Sequence, residues 1–312
     1  MTTPMEREPQ IVIRPFEAEN DLPRLLQLLQ TVETFDGDGE EVSEDALREQ
    51  LTLPDHDPAR DRWVAASPGD IETLVGWGFT WRVASEPSAT LTGAVHPAWR
   101  RRGIGGALLM RALDRASELG AARAGVYANV RNEGATRFEL AHGFRPVAAN
   151  TLLRLDGAAH ALEPAIPTGY LLCRRPEAID LSTLAHALNR SYEGLWGHHV
   201  VSEAWVAQSL ERLRAEDTLL LLFGPAGDVV GVCRVERCSE SIPYIDAPGI
   251  VPEHRSARLY AALLFAACVH LRTMRPEAIV LESWGDTDET LAAYQALGFE
   301  VVRHTTAYER PL

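Results

Sequence analysis

The feature that most constrains the fold of this chain is an internal repeat. Val95-His96-Pro97 matches Ile250-Val251-Pro252, and Ala107-Leu108-Leu109 matches Ala262-Leu263-Leu264. In both halves, short apolar runs typical of strands alternate with longer segments whose apolar residues recur at helical spacing. A repeated order of elements is the mark of a duplicated unit. The sequence therefore predicts two copies of one α/β domain.

The domain limits follow from a change in composition near the middle of the chain. Gly157, Pro164 and Pro167 suit an exposed connection between the two copies. We predict a first domain over residues 1–155, a linker over 156–168 and a second domain over 169–312. A length of 312 residues is sufficient for two domains of ordinary size.

A basic, glycine-rich turn joins a predicted strand, Thr90–Val95, to a predicted helix that begins near Gly105. Glycines let backbone N–H groups approach a ligand without an intervening Cβ. The helix start adds unpaired N–H groups and the positive end of the helix dipole, and Arg100, Arg101 and Arg102 add formal charge. This combination predicts a phosphate or pyrophosphate site.

Two other phosphate-binding loops are excluded by single positions. The Walker loop needs a lysine after its glycines, and the chain contains no lysine. The dinucleotide fingerprint needs a third glycine where Leu108 stands. The remaining pattern, Arg100-x-x-Gly103-x-Gly105, closely resembles the acyl-CoA pyrophosphate loop of the GNAT superfamily of N-acetyltransferases. The alternative is a strand-to-helix turn that binds nothing.

The resemblance implies the fold and the cofactor. The family fold is α/β (α+β), a mixed, mostly antiparallel twisted sheet flanked by helices, and here it would occur twice in tandem. Two central strands part after the strand that corresponds to Thr90–Val95, and acetyl-CoA lies in the gap with its pantetheine paired like an added strand. The cofactor-binding residues that the resemblance implies are Val95, His96, Pro97, Arg100, Arg101, Arg102, Gly103, Ile104, Gly105, Gly106, Ala107 and Asn132.

The second copy departs from the loop pattern. Gly103, Gly105 and Gly106 are matched there by Arg258, Tyr260 and Ala261. Arginine and tyrosine side chains would fill the space of a pyrophosphate and lack the backbone freedom of glycine. We therefore expect a degenerate second copy.

The catalytic residues are less clear. Direct attack by an amine on the thioester needs a proton acceptor, a donor that polarises the carbonyl and an acid for the leaving thiolate. The family acid is often a tyrosine four residues before the glycine of a Gly-Phe pair. That position is Glu139 in the first copy and Tyr294 in the second, and Tyr127 lies on the parting strand, so all three are candidates. His96 and the acidic segment 33–41 remain open as a base or as a site for a cationic amine.

The amino-acid composition limits the kinds of partner that the chain is expected to bind. The net charge of −14 argues against nucleic acid and favours a small cationic acceptor. No apolar stretch is long enough for a bilayer span, and no metal-ligand pattern is complete. Reduced thiols and a cytoplasmic monomer or homodimer are expected.

The sequence as a whole predicts an N-acetyltransferase that moves an acetyl group from acetyl-CoA, its co-substrate, to the amine of a small molecule. Transfer to a hydroxyl or a thiol is an alternative within the same fold. A non-catalytic acyl-CoA-binding sensor or interaction protein is the alternative from another class.

Overall fold

A computed structural model of the chain describes residues 11–39, 42–53, 55–84, 86–156, 166–175, 179–196, 198, 200–213, 217–236 and 243–312. These residues form two compact units. Unit 1 comprises Met1–Val147 together with Thr306–Leu312, and unit 2 comprises Ala148–Thr305. No helix among the described residues is long and apolar enough to cross a membrane.

Unit 1 is built on antiparallel strands with one parallel pair. Its elements are β1 (Val12–Pro15), α1 (Ala18–Asp36), α2 (Glu44–Leu51), α3 (Pro58–Asp61), β2 (Arg62–Ser67), β3 (Asp70–Trp81), β4 (Ser88–Val95), α4 (Ile104–Glu118), β5 (Arg123–Asn129), α5 (Glu133–Ala141) and the start of β6 (Arg145–Asp156). The strands follow the order β1-β2-β3-β4-β5, and only β4 and β5 run parallel. The last part of β13 (Glu300–Pro311) lies beside β5.

Unit 2 repeats this plan. Its elements are the remainder of β6, β7 (Leu171–Arg174), α6 (Leu181–Ser191), α7 (Glu203–Arg212), β8 (Thr218–Phe223), β9 (Val229–Glu236), β10 (Tyr244–Asp246), β11 (Gly249–Ile250), α8 (Ala257–Arg272), β12 (Ala278–Trp284), α9 (Asp288–Ala296) and the start of β13. The order is β13-β6-β12-β10-β9-β8-β7, with β10 and β12 parallel and β11 paired to β9.

The limits of the two units differ from the predicted domain limits. Residues 148–155 were assigned to the first domain, but β6 pairs with β12 from Asn150 to Asp156 and so belongs to unit 2. The last residues were assigned to the second domain, but Leu312 donates its N–H to Ala122 O (3.2 Å) in unit 1. The residue pattern of the sequence predicts a closing strand in each copy, but it does not show which strand lies beside it. Of the predicted linker, residues 157–165 lie outside the described residues.

Helices cover both faces of the unit 1 sheet. Trp77 and Phe79 of β3 pack with α1 and α2. On the other face, a Cβ on Gly76 would stand 2.9 Å from Ile104 Cγ2, and one on Gly78 would stand 3.5 Å from Leu108. These two glycines therefore let α4 lie close against β3, which fixes the start of α4 beside the end of β4.

A buried polar network holds α4 at its other end. The Nδ1 atom of His56 lies 3.0 Å from Asp61 Oδ2, Arg62 donates Nε–H to His56 Nε2 (2.9 Å), and Arg115 of α4 donates to Asp61 Oδ1 (2.7 Å). Arg62 is fully buried, and this burial lowers the pKa of its guanidinium to about 10. Burial also lowers the pKa of His56, so the ring is neutral and accepts from Arg62.

Removing His56 is expected to destabilise unit 1. His56→Ala leaves Arg62 Nε and one oxygen of Asp61 buried without this partner, which costs about 3 kcal/mol of unfolding free energy. Urea unfolding at neutral pH measures the change. His186→Ala, an exposed histidine of α6, is the matched control and should change stability by less than about 0.5 kcal/mol. Equal midpoints for the two variants would show that the network contributes no stability.

Candidate active site

The strands β4 and β5 part soon after they meet. They pair only over Ser88–Thr90 with Arg123–Gly125. Beyond this point β4 remains paired to β3 as far as Val95, while Val126–Asn129 of β5 has no partner on the β4 side in this fully described stretch. A gap therefore opens between the second halves of the two strands, where the family resemblance places it.

The free edge of β4 faces this gap. His96 donates its N–H to Val75 O on β3 (3.0 Å), whereas Val95 O accepts from Arg100 Nε (3.0 Å) and so points away from β3. Backbone groups of an antiparallel strand alternate between its two sides. The N–H and C=O groups of Gly93, two residues before Val95, therefore point into the gap, and Gly93 is exposed. An extended ligand can pair with the strand at this residue.

The turn after β4 ends in an open helix start. Arg101 (φ 64°) and Gly103 (φ 81°) adopt left-handed conformations, and Gly103 is the N-cap of α4. Ala107 N–H makes the bond to Gly103 O (3.0 Å), so the N–H groups of residues 104–106 precede it and point out of the helix. Apart from its chain neighbours, no described residue has a heavy atom within 4 Å of where a Cβ on Gly103 would stand. The start of α4 is therefore open, and a pyrophosphate cradle at this turn stays a prediction.

The three arginines of the turn differ in what they contact. Arg100 makes a two-point ion pair with Asp36 of α1 (2.7 and 2.6 Å) in addition to its bond to Val95 O. Its guanidinium is thus engaged inside unit 1, and a contact between it and the phosphates stays a prediction. Arg102 lies over the Trp99 ring, 4.7 Å from its centre.

The same contact recurs in unit 2. Arg255 donates Nε–H to Ile250 O (2.9 Å) and reaches Glu193 O beyond the end of α6. In both copies, therefore, an arginine five residues after the strand end contacts the end of the first helix of its unit.

The first turn of α4 packs against α5. A Cβ on Gly105 would stand 3.3 Å from the Phe138 ring, and one on Gly106 would stand 3.7 Å from His142 Nε2. The glycine pair therefore lets the end of α5 lie close to α4. The loop pattern assigns these glycines to a ligand and gives no sign of Phe138 and His142, which lie one turn apart at the end of α5.

The acidic segment after α1 is largely engaged within unit 1. Besides the Asp36–Arg100 pair, Asn129 donates to Asp38 O (3.0 Å) and Asn132 donates to Asp38 Oδ2 (3.2 Å). Burial raises the pKa of Asp38. Glu33 accepts from Gly39 N–H (2.8 Å), and residues 40 and 41 lie outside the described part. The segment therefore links the ends of β4 and β5.

Asn132 also acts within the fold. Its Oδ1 accepts from Ala135 N–H (3.0 Å) and so caps α5, while its Nδ2 is bonded to Asp38. The Nδ2 group carries two hydrogens, so its second hydrogen can serve the predicted contact with the cofactor while the bond to Asp38 is kept.

The candidate catalytic residues of unit 1 lie in different environments. Burial raises the pKa of the Glu139 carboxyl to about 7, and its Oε2 is buried without a hydrogen-bond partner among the described residues. Tyr127 lies on the second half of β5, beyond its pairing with β4, with 43% of its surface exposed. His96 accepts Ala98 N–H at Nδ1 (3.2 Å), which leaves only Nε2 for any other partner.

In unit 2 aromatic side chains lie at the corresponding strand end and helix start. Tyr192 covers Gly249, where a Cβ would stand 2.7 Å from its ring, and its hydroxyl donates to Ala247 O (2.9 Å). Tyr260, in place of Gly105, is buried in the core, and burial raises its pKa to about 12. Arg258 is exposed.

The position of Tyr294 argues against the catalytic role predicted for it. Its side chain is 0% exposed in the core of unit 2, and its hydroxyl donates to Asp286 Oδ2 (3.2 Å). A helical tyrosine four residues before Gly298 has the same pattern in sequence whether it faces a cofactor or a core. The structure distinguishes the two by burial.

Comparison with known proteins agrees with this geometry. The acetyltransferase (GNAT) family model matches residues 22–144. A mycothiol acetyltransferase of Salinispora tropica is 30% identical over 217 residues, which are 66% of this chain and 68% of that protein. One from Paenarthrobacter aurescens is 27% identical over 260 residues, 80% of this chain and 76% of the relative.

Solved structures show the same fold. A GCN5-related N-acetyltransferase from Sphaerobacter thermophilus matches with a TM-score of 0.77 at 17% identity, over 96% of this chain and 95% of that one. A tandem GNAT protein from the clavulanic acid biosynthesis pathway matches with a TM-score of 0.65 at 20% identity, over 97% and 98% of the two chains.

The fold and the family matches define an N-acetyltransferase enzyme. The chain belongs to the GNAT family of acetyltransferases, and the predicted tandem GNAT fold is confirmed. Members of this family use acetyl-CoA as co-substrate. Among the described residues, no three His, Cys, Asp or Glu side chains come together in a group that could hold a metal ion.

Proposed function

We propose that unit 1 transfers an acetyl group from acetyl-CoA to the amine of a small acceptor, and that unit 2 holds no acyl-CoA. The observation that carries this proposal is the coincidence of two features at one edge of unit 1. The free edge of β4 at Gly93 and the open start of α4 at residues 104–106 lie at opposite ends of one short turn. The first suits an amide-rich pantetheine arm, and the second suits a pyrophosphate.

The backbone supplies most of the binding groups. N–H groups of Ile104, Gly105 and Gly106 would donate to the pyrophosphate oxygens, and the polar groups of Gly93 would pair with the pantetheine amides. Arg100 would shape the turn through Val95 and Asp36 rather than bind phosphate. Arg101 and Arg102 would then supply the formal positive charge at the pyrophosphate site.

The chemistry is direct attack. The neutral amine of the acceptor adds to the thioester carbonyl, whose developing negative charge is stabilised by a backbone N–H at the β4 edge. The intermediate then collapses with cleavage of the C–S bond. We assign Glu139 as the acid that protonates the leaving thiolate, because burial keeps its carboxyl protonated up to about pH 7. One of the two N–H protons of the amine is lost to solvent, and the Glu139 carboxylate left after the transfer takes up a proton from solvent.

The acceptor is proposed from charge and from the relatives. The net charge of −14 favours a cationic amine. The relatives named mycothiol acetyltransferase add a mycothiol-related amine to the candidates.

The test is an assay of free CoA. Acetyl-CoA is first titrated into the protein, and release of the CoA thiol is then measured with polyamines, amino acids, an aminoglycoside and a mycothiol-related amine. We expect binding, and thiol release with at least one amine together with its acetylated product. Binding without release for any amine would replace the proposal by an acyl-CoA sensor, and absence of binding would contradict both.

A further inference from the structure

His142 stands at the wall of the pyrophosphate cradle. It is the C-cap of α5, and its Nε2 lies 3.7 Å from where a Cβ on Gly106 would stand. Gly106 is in the first turn of α4, where N–H groups point out of the helix. Neither the family resemblance nor the loop pattern includes this residue.

The orientation of the His142 ring is fixed. Its Nδ1 lies 2.8 Å from Phe138 O, and because a carbonyl only accepts, Nδ1 carries the hydrogen. The ring also packs against the Phe138 ring at a centroid distance of 4.1 Å. The neutral ring therefore presents the lone pair of Nε2 toward the first turn of α4, and a protonated ring presents an N–H and a positive charge there.

We propose that His142 is a further ligand of the acyl-CoA pyrophosphate, which it binds when protonated, so that acyl-CoA affinity rises as the pH falls. The inference rests on the proposed function, because it takes the first turn of α4 as the pyrophosphate site. Histidine is the side chain that changes its charge between about pH 5 and 8. A charge gained beside an anion favours binding, and bound anion in turn favours the protonated ring.

Charged side chains of three described residues lie near His142, on α5, β6 and β13. Arg310 of β13 donates to His142 O (2.8 Å), and Arg145 of β6 donates to Phe144 O (2.9 Å). Both stay charged over this pH range. Glu139 lies one turn earlier on α5, and since its carboxyl titrates at about pH 7 it would add negative charge as the pH rises. This added negative charge would also weaken acyl-CoA binding as the pH rises. The experiment must therefore separate the contribution of Glu139 from that of His142.

Dephospho-CoA is the suitable probe, because it lacks the titrating 3′-phosphate and its pyrophosphate keeps a constant charge between about pH 5.5 and 8. Its affinity is measured by calorimetry across this range for the wild type and for His142→Asn, whose amide can still donate to Phe138 O. We expect about a tenfold gain in affinity toward low pH in the wild type and less than about twofold in His142→Asn.

Two further variants decide the assignment. Glu139→Gln should keep most of the pH dependence, and His186→Asn, an exposed histidine of unit 2, should keep all of it. An unchanged pH dependence in His142→Asn, or its loss in Glu139→Gln, would overturn the assignment. Failure of the wild type to bind dephospho-CoA and acetyl-CoA at every pH would instead contradict the proposed function.

Discussion

Glu139→Gln is expected to lower kcat by about 100-fold or more while acetyl-CoA affinity stays within about threefold. Loss of a general acid removes an interaction made only in the transition state, so the effect falls on turnover and not on binding. The glutamine has the same shape as the acid and cannot give up a proton. Steady-state kinetics at saturating acceptor, with a separate titration of acetyl-CoA, measures both quantities.

The pH profile gives the sign of the effect. Burial raises the pKa of Glu139 to about 7, so the acid form dominates below this pH and is lost above it. The kcat of the wild type should therefore fall as the pH rises above about 7, and Glu139→Gln should lose this limb. A rise of kcat through the same range that is present in the wild type and absent from Glu139→Gln would assign Glu139 as a base and contradict the proposed role.

The second copy supplies the matched control. Tyr294 occupies the position of Glu139 in unit 2, where its hydroxyl bonds Asp286 in the core. Tyr294→Phe removes only that hydroxyl and should leave kcat within about twofold. A loss of kcat comparable with that of Glu139→Gln would restore Tyr294 as the acid.

Gly106→Glu is expected to weaken acetyl-CoA binding by about 100-fold, equivalent to ~2.7 kcal/mol. The new carboxylate would stand at the start of α4, where the proposal places the two charged phosphates, and like charges at contact distance repel strongly. The backbone itself tolerates a side chain here, because Gly106 lies within a helix and the closest atom to its Cβ position is His142 Nε2 at 3.7 Å. Calorimetric titration measures the loss.

Gly106→Gln separates charge from volume. Glutamine has nearly the shape of glutamate without its charge, so affinity should fall much less than in Gly106→Glu. Thermal unfolding checks that both variants fold. Equal affinities for the two variants would show that no phosphate lies at this turn of α4.

The sequence predicted the features that depend on local pattern. The repeat, the strand-turn-helix at Val95–Leu109 and the loss of the glycines at Arg258 and Tyr260 are all visible as residue types at fixed spacing. The structure places an open helix start in the first copy and a buried Tyr260 in the second. Glycine has no side chain and leaves the helix start of the first copy open, whereas the side chain of Tyr260 packs into the core of the second copy.

The remaining features depend on contacts between distant segments. The bond from Arg100 to Asp36 joins a turn to the end of a helix far earlier in the chain, and no periodicity indicates it. The exchange of β6 and the end of β13 between the two units depends on which strand edge each meets. The raised pKa of Glu139 depends on burial by neighbours that its own helix does not specify.

The central claim is that one of the two copies holds acetyl-CoA. The most direct test is the stoichiometry of acetyl-CoA binding to the wild-type chain, measured by isothermal titration calorimetry. The open start of α4 in unit 1, and the aromatic side chains Tyr192 and Tyr260 at the matching place in unit 2, predict a single equivalent per chain. Two equivalents, or none, would contradict the claim.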